Sequence, residues 1–161
     1  MSRFDQLLDS VGDGSGTTEM AAAADAYFVT PGANEFIELA RVLVYMEDNG
    51  KFAGEKYTAT AALADGIVIT KENAGGVLHT YTPQPIKTIG HWGLLAGVDV
   101  ILTDFTTGND MFIVRWTLSK AEHKTTLDGR KGEFFKVDVK NTLVAAVSHI
   151  MSAQGSIKWA G

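Results

Sequence analysis

The stretch Met111 to Leu118, MFIVRWTL, decides the fold. Successive side chains of a β-strand point to opposite faces, so every second residue shares a face. One face takes Phe112, Val114, Trp116 and Leu118, and the other takes Met111, Ile113, Arg115 and Thr117. The large apolar residues of the first face predict a strand with that face in a core and with Trp116 buried.

Further segments repeat this period on either side. Phe134 to Lys140 alternates apolar with charged residues, and Gly97 to Thr103 and Gly66 to Thr70 are short and rich in valine and isoleucine. Turn signals separate the segments at Asp48-Asn49-Gly50, Asp65-Gly66, Asn73 to Gly76, Pro83 to Pro85, Thr107 to Asp110 and Asp128-Gly129. Short strands with frequent turns predict a mainly β fold, an antiparallel β-sandwich of jelly-roll-like type.

Two segments fit either a helix or a strand. Asn34 to Glu47, NEFIELARVLVYME, could be an amphipathic helix capped by Asn34, but its β-branched and aromatic content favours a long strand. Asn141 to Ala153 has helical composition. There we expect one short helical segment at Thr142 to Val147, followed by a closing strand from His149 to Trp159.

The N-terminal residues differ from the rest of the chain. Residues 1–34 carry a net charge of −4, whereas residues 35–161 carry −1. The apolar residues Phe4, Leu7, Leu8 and Val11 recur at helical spacing. They predict a short helical turn, followed by a glycine-rich extended segment at 12–18, GDGSGTT. We therefore expect an N-terminal arm over 1–34 and a β-sandwich domain over 35–161.

Composition excludes several classes of function. The chain has 161 residues, a length suited to one domain, and it has no cysteine, so disulfides, thiolate metal sites and cysteine nucleophiles are excluded. The formal charge of −5 argues against broad binding to nucleic acid or to an anionic membrane surface. No signal peptide and no membrane-spanning segment is indicated in the sequence.

No catalytic motif meets its structural requirements. The glycines at 12, 14 and 16 lack the preceding strand of a dinucleotide-binding loop and the lysine of a P-loop. No G-x-S-x-G element is present, and the histidines are widely separated at His79, His91, His123 and His149. We predict that the chain is not an enzyme, with no catalytic, cofactor-binding or metal-binding residues.

Residues of the arm and two tryptophans are candidates for contact with a partner. Aromatic residues in loops and at termini are enriched at protein interfaces. The candidate interface residues are Phe4, Leu7, Leu8, Val11, Thr17, Met20, Trp92 and Trp159.

Several fragments of the chain together carry a family resemblance. They are GDGSGTT at 12–18, Arg41 to Tyr45 (RVLVY), Glu47-Asp48, Leu63 to Ile67 (LADGI), Pro85 to Thr88 (PIKT), His91-Trp92, Val114 to Thr117 (VRWT) and Leu127 to Gly129 (LDG). Over about residues 12 to 155, this combination resembles small virion structural proteins of tailed bacteriophages, with jelly-roll or β-sandwich subunits.

The resemblance implies a non-enzymatic virion protein, first of all a capsid decoration (cement) protein that stabilises the head shell. It implies a homo-oligomer, a trimer or a higher ring, whose partners are the major capsid protein or other head and neck subunits. Assembly would take place in the host cytoplasm, without direct contact to nucleic acid or membrane. A head-to-tail collar, neck or tail adaptor protein is the alternative. A carbohydrate or host-surface binding module is a further alternative, which requires exposed aromatic residues such as Trp92 or Tyr81.

Overall fold

A computed structural model describes residues 2–7, 25–48, 63–103, 110–118, 125–140 and 148–159. Within these segments the secondary structure is almost entirely β. The elements are β1 (Ser2–Leu7), β2 (Asp25–Val29), β3 (Glu35–Asp48), β4 (Ile67–Asn73), β5 (Gly76–Thr80), helix α1 (Ile89–Trp92), β6 (Val98–Thr103), β7 (Asp110–Thr117), β8 (Thr126–Asp128), a 3₁₀ turn (Gly129–Lys131), β9 (Phe134–Val139) and β10 (Ser148–Trp159). The prediction of a mainly β fold is confirmed.

The strands form two antiparallel sheets. The larger sheet has the order β1-β10-β3-β7-β6, with β8 paired to the first part of β3, and the smaller sheet has the order β2-β9-β4-β5. Buried side chains of both sheets form one core. Tyr81, which follows β5, makes an edge-to-face contact with Trp116 of β7. The two ring centroids are 5.5 Å apart, and the contact joins the two layers. The arrangement is sandwich-like, as the strand and turn pattern predicts.

Most predicted strands are found close to their expected positions. The deciding stretch at 111–118 forms β7, and Val114, Trp116 and Leu118 are buried as expected. The strands expected over 66–70, 97–103 and 134–140 are β4, β6 and β9. The two ambiguous segments also contain the expected strands, since residues 35–47 of the first lie in β3 and the closing strand expected at 149–159 lies in β10.

A β-bulge in β3 explains why this segment also fits a helix. In the pairing of β3 with β10, Gln154 lies opposite Arg41, and the next residue, Gly155, lies opposite Leu39. Ala40 therefore has no partner and is the extra residue of a bulge. Among the side chains of β3 that the structure describes, the buried ones are Ile37, Leu39, Val42 and Val44. Their spacing of two, three and two residues mixes the strand period with a helical step.

The helical turn predicted from Phe4 onward is wrong for the part that the structure describes. Residues 2–7 form β1, which pairs antiparallel with β10 along its whole length. A helix of two turns is marginal by itself, whereas pairing with β10 satisfies the backbone groups on one side of the segment. Phe4 then packs against the core, and Arg3 and Asp5 are exposed.

The remaining expectations for local structure lie mostly outside the described residues. These include the glycine-rich segment 12–18 and the helical turn expected at 142–147. The short helix that the structure does describe is α1, which precedes β6 and lies where the sequence pattern predicts no helix. The boundary between arm and domain at residue 34 stays a prediction. Strands β1 and β2, from the predicted arm, belong to the two sheets.

Candidate binding groove on the six-stranded sheet

An open groove lies on the outer face of the six-stranded sheet. The buried residues of β3 and β7 alternate with Arg41 and Arg115, so these arginines lie on the face directed away from the core. The groove has a volume of about 770 Å³. It is lined by Arg3, Phe4, Glu38, Ala40, Arg41, Asp99, Arg115, Thr117, Gln154, Gly155 and Ser156.

Arg41 is the central cation of the groove. Its side chain is half-buried. Nε of Arg41 donates a hydrogen bond of 2.8 Å to Oε1 of Gln154, and Nη2 of Arg41 donates a second hydrogen bond to the same oxygen. Among the residues that the structure describes, no carboxylate forms an ion pair with Arg41. A partly desolvated guanidinium is thus held in place by a neutral amide, and its charge remains available to an anion.

The two other arginines of the groove are paired with carboxylates at the surface. Nη2 of Arg3 lies 3.0 Å from Oδ2 of Asp5, and Nη2 of Arg115 lies 3.1 Å from Oδ2 of Asp99. All four side chains are substantially exposed. Exposed pairs of this kind contribute little free energy and are screened by salt, so both arginines can exchange partners at small cost.

Strand register brings the polar side chains of the groove together. Asp5 of β1 lies opposite Gln154 of β10, Gln154 lies opposite Arg41 of β3, and Arg41 lies opposite Thr117 of β7. These four residues, which are far apart in sequence, form one row across four strands. Because the bulge resets the alternation in β3, Arg41 joins this outer row instead of facing the core.

Gly155 allows the close approach of β3 and β10 beneath the groove. A Cβ at this position would overlap the backbone carbonyl oxygen of Glu38. The missing side chain therefore permits the pairing at the bulge, and it also leaves room for the groove above it.

A smaller cavity of about 140 Å³ extends the groove along β3. It shares Glu38 and Ser156 with the larger one and adds Phe36 and Lys158. The Phe36 ring lies 4.6 Å from the guanidinium carbon of Arg130 and 5.6 Å from Nζ of Lys158. Further cations thus lie beside the arginines on the same face of the sheet.

The structure describes only some of the predicted interface residues. Trp159 is 74% exposed at the end of β10, and Phe4 is half-buried and lines the groove. Leu7 belongs to β1, but its side chain is not among those described. Leu8, Val11, Thr17 and Met20 lie outside the described residues. For the described residues Phe4 and Trp159, contact with a partner stays a prediction.

Trp92 is a core residue, and the expectation that it lies at an interface needs correction. Its side chain is fully buried, because α1 and the turn after it fold this segment against the sandwich. Nε1 of Trp92 has no hydrogen-bond partner among the described residues. Tyr81 is also buried. Neither ring can form the exposed aromatic surface that the carbohydrate-binding alternative requires of them.

Sequence reasoning missed the groove, although a signal for it was present. Arg41 and Arg115 are single cations inside otherwise apolar strand segments, RVLVY and VRWT. A charged residue at an outward position of such a strand marks a solvated face. What the sequence cannot supply is the strand order, which places Arg3 and Gln154 beside them.

The fold and the groove together define an antiparallel β-sandwich with an arginine-lined groove on its outer face. No protein-family model, no curated protein sequence and no solved structure matches the chain. Among the described segments, no helix has the length and hydropathy that a membrane crossing needs. In the same segments, no group of three histidine, aspartate or glutamate side chains has the arrangement of a metal site.

Proposed function

We propose that the chain is a non-enzymatic structural protein that functions by assembling with other protein chains, as a capsid decoration protein of a tailed phage. The observation that carries this proposal is the apolar edge of the larger sheet. In β6, which is the last strand of that sheet, Val100 and Ile101 are exposed, Ile101 by 49%. Leu94, just ahead of β6, is exposed as well.

An apolar edge strand is a favourable site for pairing with a second chain. In the described part of the chain, β6 pairs only with β7, so no described strand pairs with the backbone N–H and C=O groups on its other side. Natural proteins commonly protect such edges with charged residues or proline, whereas β6 has one charge, Asp99, which is paired with Arg115. Addition of a strand from another chain would satisfy these groups and cover Val100 and Ile101.

Trp159 supports the same proposal at another place. It ends β10 with most of its ring exposed. Tryptophan is among the residues most enriched in the energetically dominant part of protein interfaces. A second apolar contact site, away from the edge strand, suits a subunit with more than one neighbour in a closed assembly.

The assignment to a virion rests on the family resemblance of the sequence. On that basis the partners are the major capsid protein or other head and neck subunits, and the assembly is a trimer or a higher ring. Placement on the head surface is the first choice, and the neck is the alternative. Both placements require contact with other protein chains and no chemistry on a substrate.

Light scattering of the full chain tests the assembly. We expect the molar mass to rise with concentration to a defined oligomer, and Ile101→Lys to shift the protein toward the monomer by placing a charge on the edge. Ala74→Lys, in the exposed turn between β4 and β5, is the matched control and should leave the mass unchanged. A wild-type chain that stays monomeric at every concentration would contradict the proposal.

Cryo-electron microscopy of virions from the source culture tests the location. Density for the β-sandwich on the head lattice would support decoration, and density at the vertex that joins head and tail would support the neck alternative. Virions that lack the chain by mass spectrometry would refute the assignment to a virion.

A further inference from the structure

We propose that the groove around Arg41 binds a carboxylate of an acidic segment from a partner protein chain. This inference rests on the proposed function, because it names the chemistry of the partner in that assembly. It draws on the groove's charge, its hydrogen-bonding groups and its size, all of which differ from those of the apolar edge at β6.

Arg41 supplies the primary contact. Its guanidinium has five N–H donors, and those of Nε and Nη2 that point to Gln154 leave others free to face the groove. Because Gln154 is neutral, the hydrogen bond fixes the orientation of Arg41 without neutralising its charge. A carboxylate that enters the groove gains a charge-assisted hydrogen bond to a cation that is already ordered and partly desolvated.

The charge balance of the groove favours an anionic partner. The two joined cavities are lined by the cations Arg3, Arg41, Arg115 and Lys158 and by the carboxylates Glu38 and Asp99. With Asp5, which forms an ion pair with Arg3, the groove carries four cations and three carboxylates, a local excess of one positive charge in a chain whose formal net charge is −5. Such a contrast steers a negatively charged segment to this face and away from the rest of the surface.

The carboxylates of the groove favour a peptide over a nucleic acid. Glu38 and Asp99 would repel a continuous row of phosphates, which needs an unbroken basic track. In a peptide the acidic side chains are separated, and the backbone N–H groups between them can donate to Glu38 and Asp99. Hydroxyl groups of Thr117 and Ser156, which also line the groove, can supply further hydrogen bonds to the peptide.

The dimensions of the groove suit a short extended segment. Its volume of about 770 Å³ falls within the range of about 300 to 1,000 Å³ that is typical of binding sites. It is open to solvent on the outer face of the sheet, and it continues into the smaller cavity at Phe36 and Lys158. A segment lying along it can place one carboxylate at Arg41 and a second at Lys158.

Fluorescence anisotropy tests the inference with the full chain and a labelled Gly/Ser peptide that contains two aspartates. The same peptide with asparagines is the control ligand. We expect the aspartate peptide to bind at least about tenfold more tightly, with an affinity that falls as salt is added. Equal affinity for the two peptides would overturn the proposal, and so would tighter binding of a single-stranded DNA oligonucleotide.

Variants locate the binding to the groove. Arg41→Gln should weaken binding of the aspartate peptide by about tenfold or more. Arg41→Lys should lose less affinity, because the positive charge is kept. Arg115→Gln changes an exposed side chain of the same groove and should weaken binding by about threefold, even if Arg41→Gln fails to fold. Lys140→Gln, an exposed cation beyond β9, is the matched control. Wild-type affinity in Arg41→Gln or Arg115→Gln would refute the groove as the site.

The peptide experiment and the assembly experiment can fail separately. An uncharged variant at the same position, Ile101→Asn, should also reduce oligomer formation and should leave peptide affinity unchanged, since Ile101 does not line the groove and no charge is added beside Asp99. Oligomers that form without any peptide binding would overturn the inference about the groove alone. A monomeric chain that still binds the aspartate peptide would overturn the proposed assembly and retain the groove.

Discussion

Nζ of Lys71 lies 2.7 Å from Oε2 of Glu133, and each side chain is only about one-tenth exposed. Lys71 belongs to β4 of the smaller sheet, and it also donates a hydrogen bond of 2.7 Å to the carbonyl oxygen of Thr126 in β8 of the larger sheet. The Glu133 carboxylate in turn accepts from the backbone N–H of Asp128 at 2.9 Å. One buried ion pair thus connects the two layers of the sandwich.

Removing the cation of this pair should strongly destabilise the fold. We expect Lys71→Met to lower the free energy of unfolding by about 3 to 5 kcal/mol, because Glu133 would remain as a buried carboxylate without its partner. Urea unfolding measures the change. Asp99→Asn, which breaks the exposed pair with Arg115, is the control and should cost less than about 1 kcal/mol. Equal losses in the two variants would contradict a structural role for the buried pair.

Acid should destabilise the fold through Glu133. Burial opposes ionisation of this carboxyl, but the hydrogen bonds from Lys71 and Asp128, with the charges of Lys71 and Lys131, outweigh it and lower the pKa of Glu133 below its ordinary value. A lowered pKa in the folded state adds stability above the unfolded pKa, near pH 4, and this stability is lost as the pH falls through the folded value.

Unfolding measured from neutral pH down to about pH 2 checks this expectation. The wild-type free energy of unfolding should be nearly constant at first and should fall below about pH 4. Glu133→Gln should be less stable at neutral pH and should show a shallower decline in acid. A decline of the same slope in the variant would assign the effect to other carboxylates, such as Asp128, whose pKa is also lowered, chiefly by the hydrogen bond from Arg130.

At alkaline pH, ionisation of Tyr81 should destabilise the fold. Burial, and to a smaller degree the negative charge of Glu133, raises the pKa of Tyr81 to about 12. A raised pKa keeps the folded phenol protonated, so its contribution to stability is complete below the ordinary value of about 10 and is lost as the pH rises toward 12. The ultraviolet difference spectrum between wild type and Tyr81→Phe should show one tyrosine that ionises late. Ionisation near pH 10 would contradict its burial.

The sequence is most informative where one period holds along a whole strand. In β7 and β9 the alternation is unbroken, so both the strand and its buried face can be predicted from the residues alone. In β3 the bulge at Ala40 changes the period, and the segment remains ambiguous until its partner β10 is known. In β1 the backbone pairs with β10, which follows it by more than a hundred residues, and this contact overrides the local helical spacing.

The groove illustrates the same limit for a binding site. Arg41 and Arg115 are visible in the sequence as cations on strands, but their common position with Arg3 depends on strand order and register. Local patterns carry no information about which distant strands become neighbours. Trp92 shows the converse error, since its glycine-flanked position suggests a surface loop and the fold places it in the core.

Gly155, the one glycine in the described strands of the larger sheet, should not tolerate a side chain. An alanine there would place its Cβ against the carbonyl oxygen of Glu38, and relief would require β3 and β10 to separate at the bulge. We expect Gly155→Ala to lower the free energy of unfolding by more than about 2 kcal/mol in urea unfolding.

Gly155→Ala should also lower the affinity of the groove for the aspartate peptide, because Arg41 and Gln154 take their positions from the pairing at the bulge. Gly90→Ala in α1 is the matched control, since its Cβ would meet nothing closer than Oγ1 of Thr88 at 3.8 Å. That control should change the free energy of unfolding by less than about 1 kcal/mol in either direction. If Gly155→Ala matched the control in stability and kept full affinity for the aspartate peptide, the bulge would be dispensable for the stability of the fold and for peptide binding.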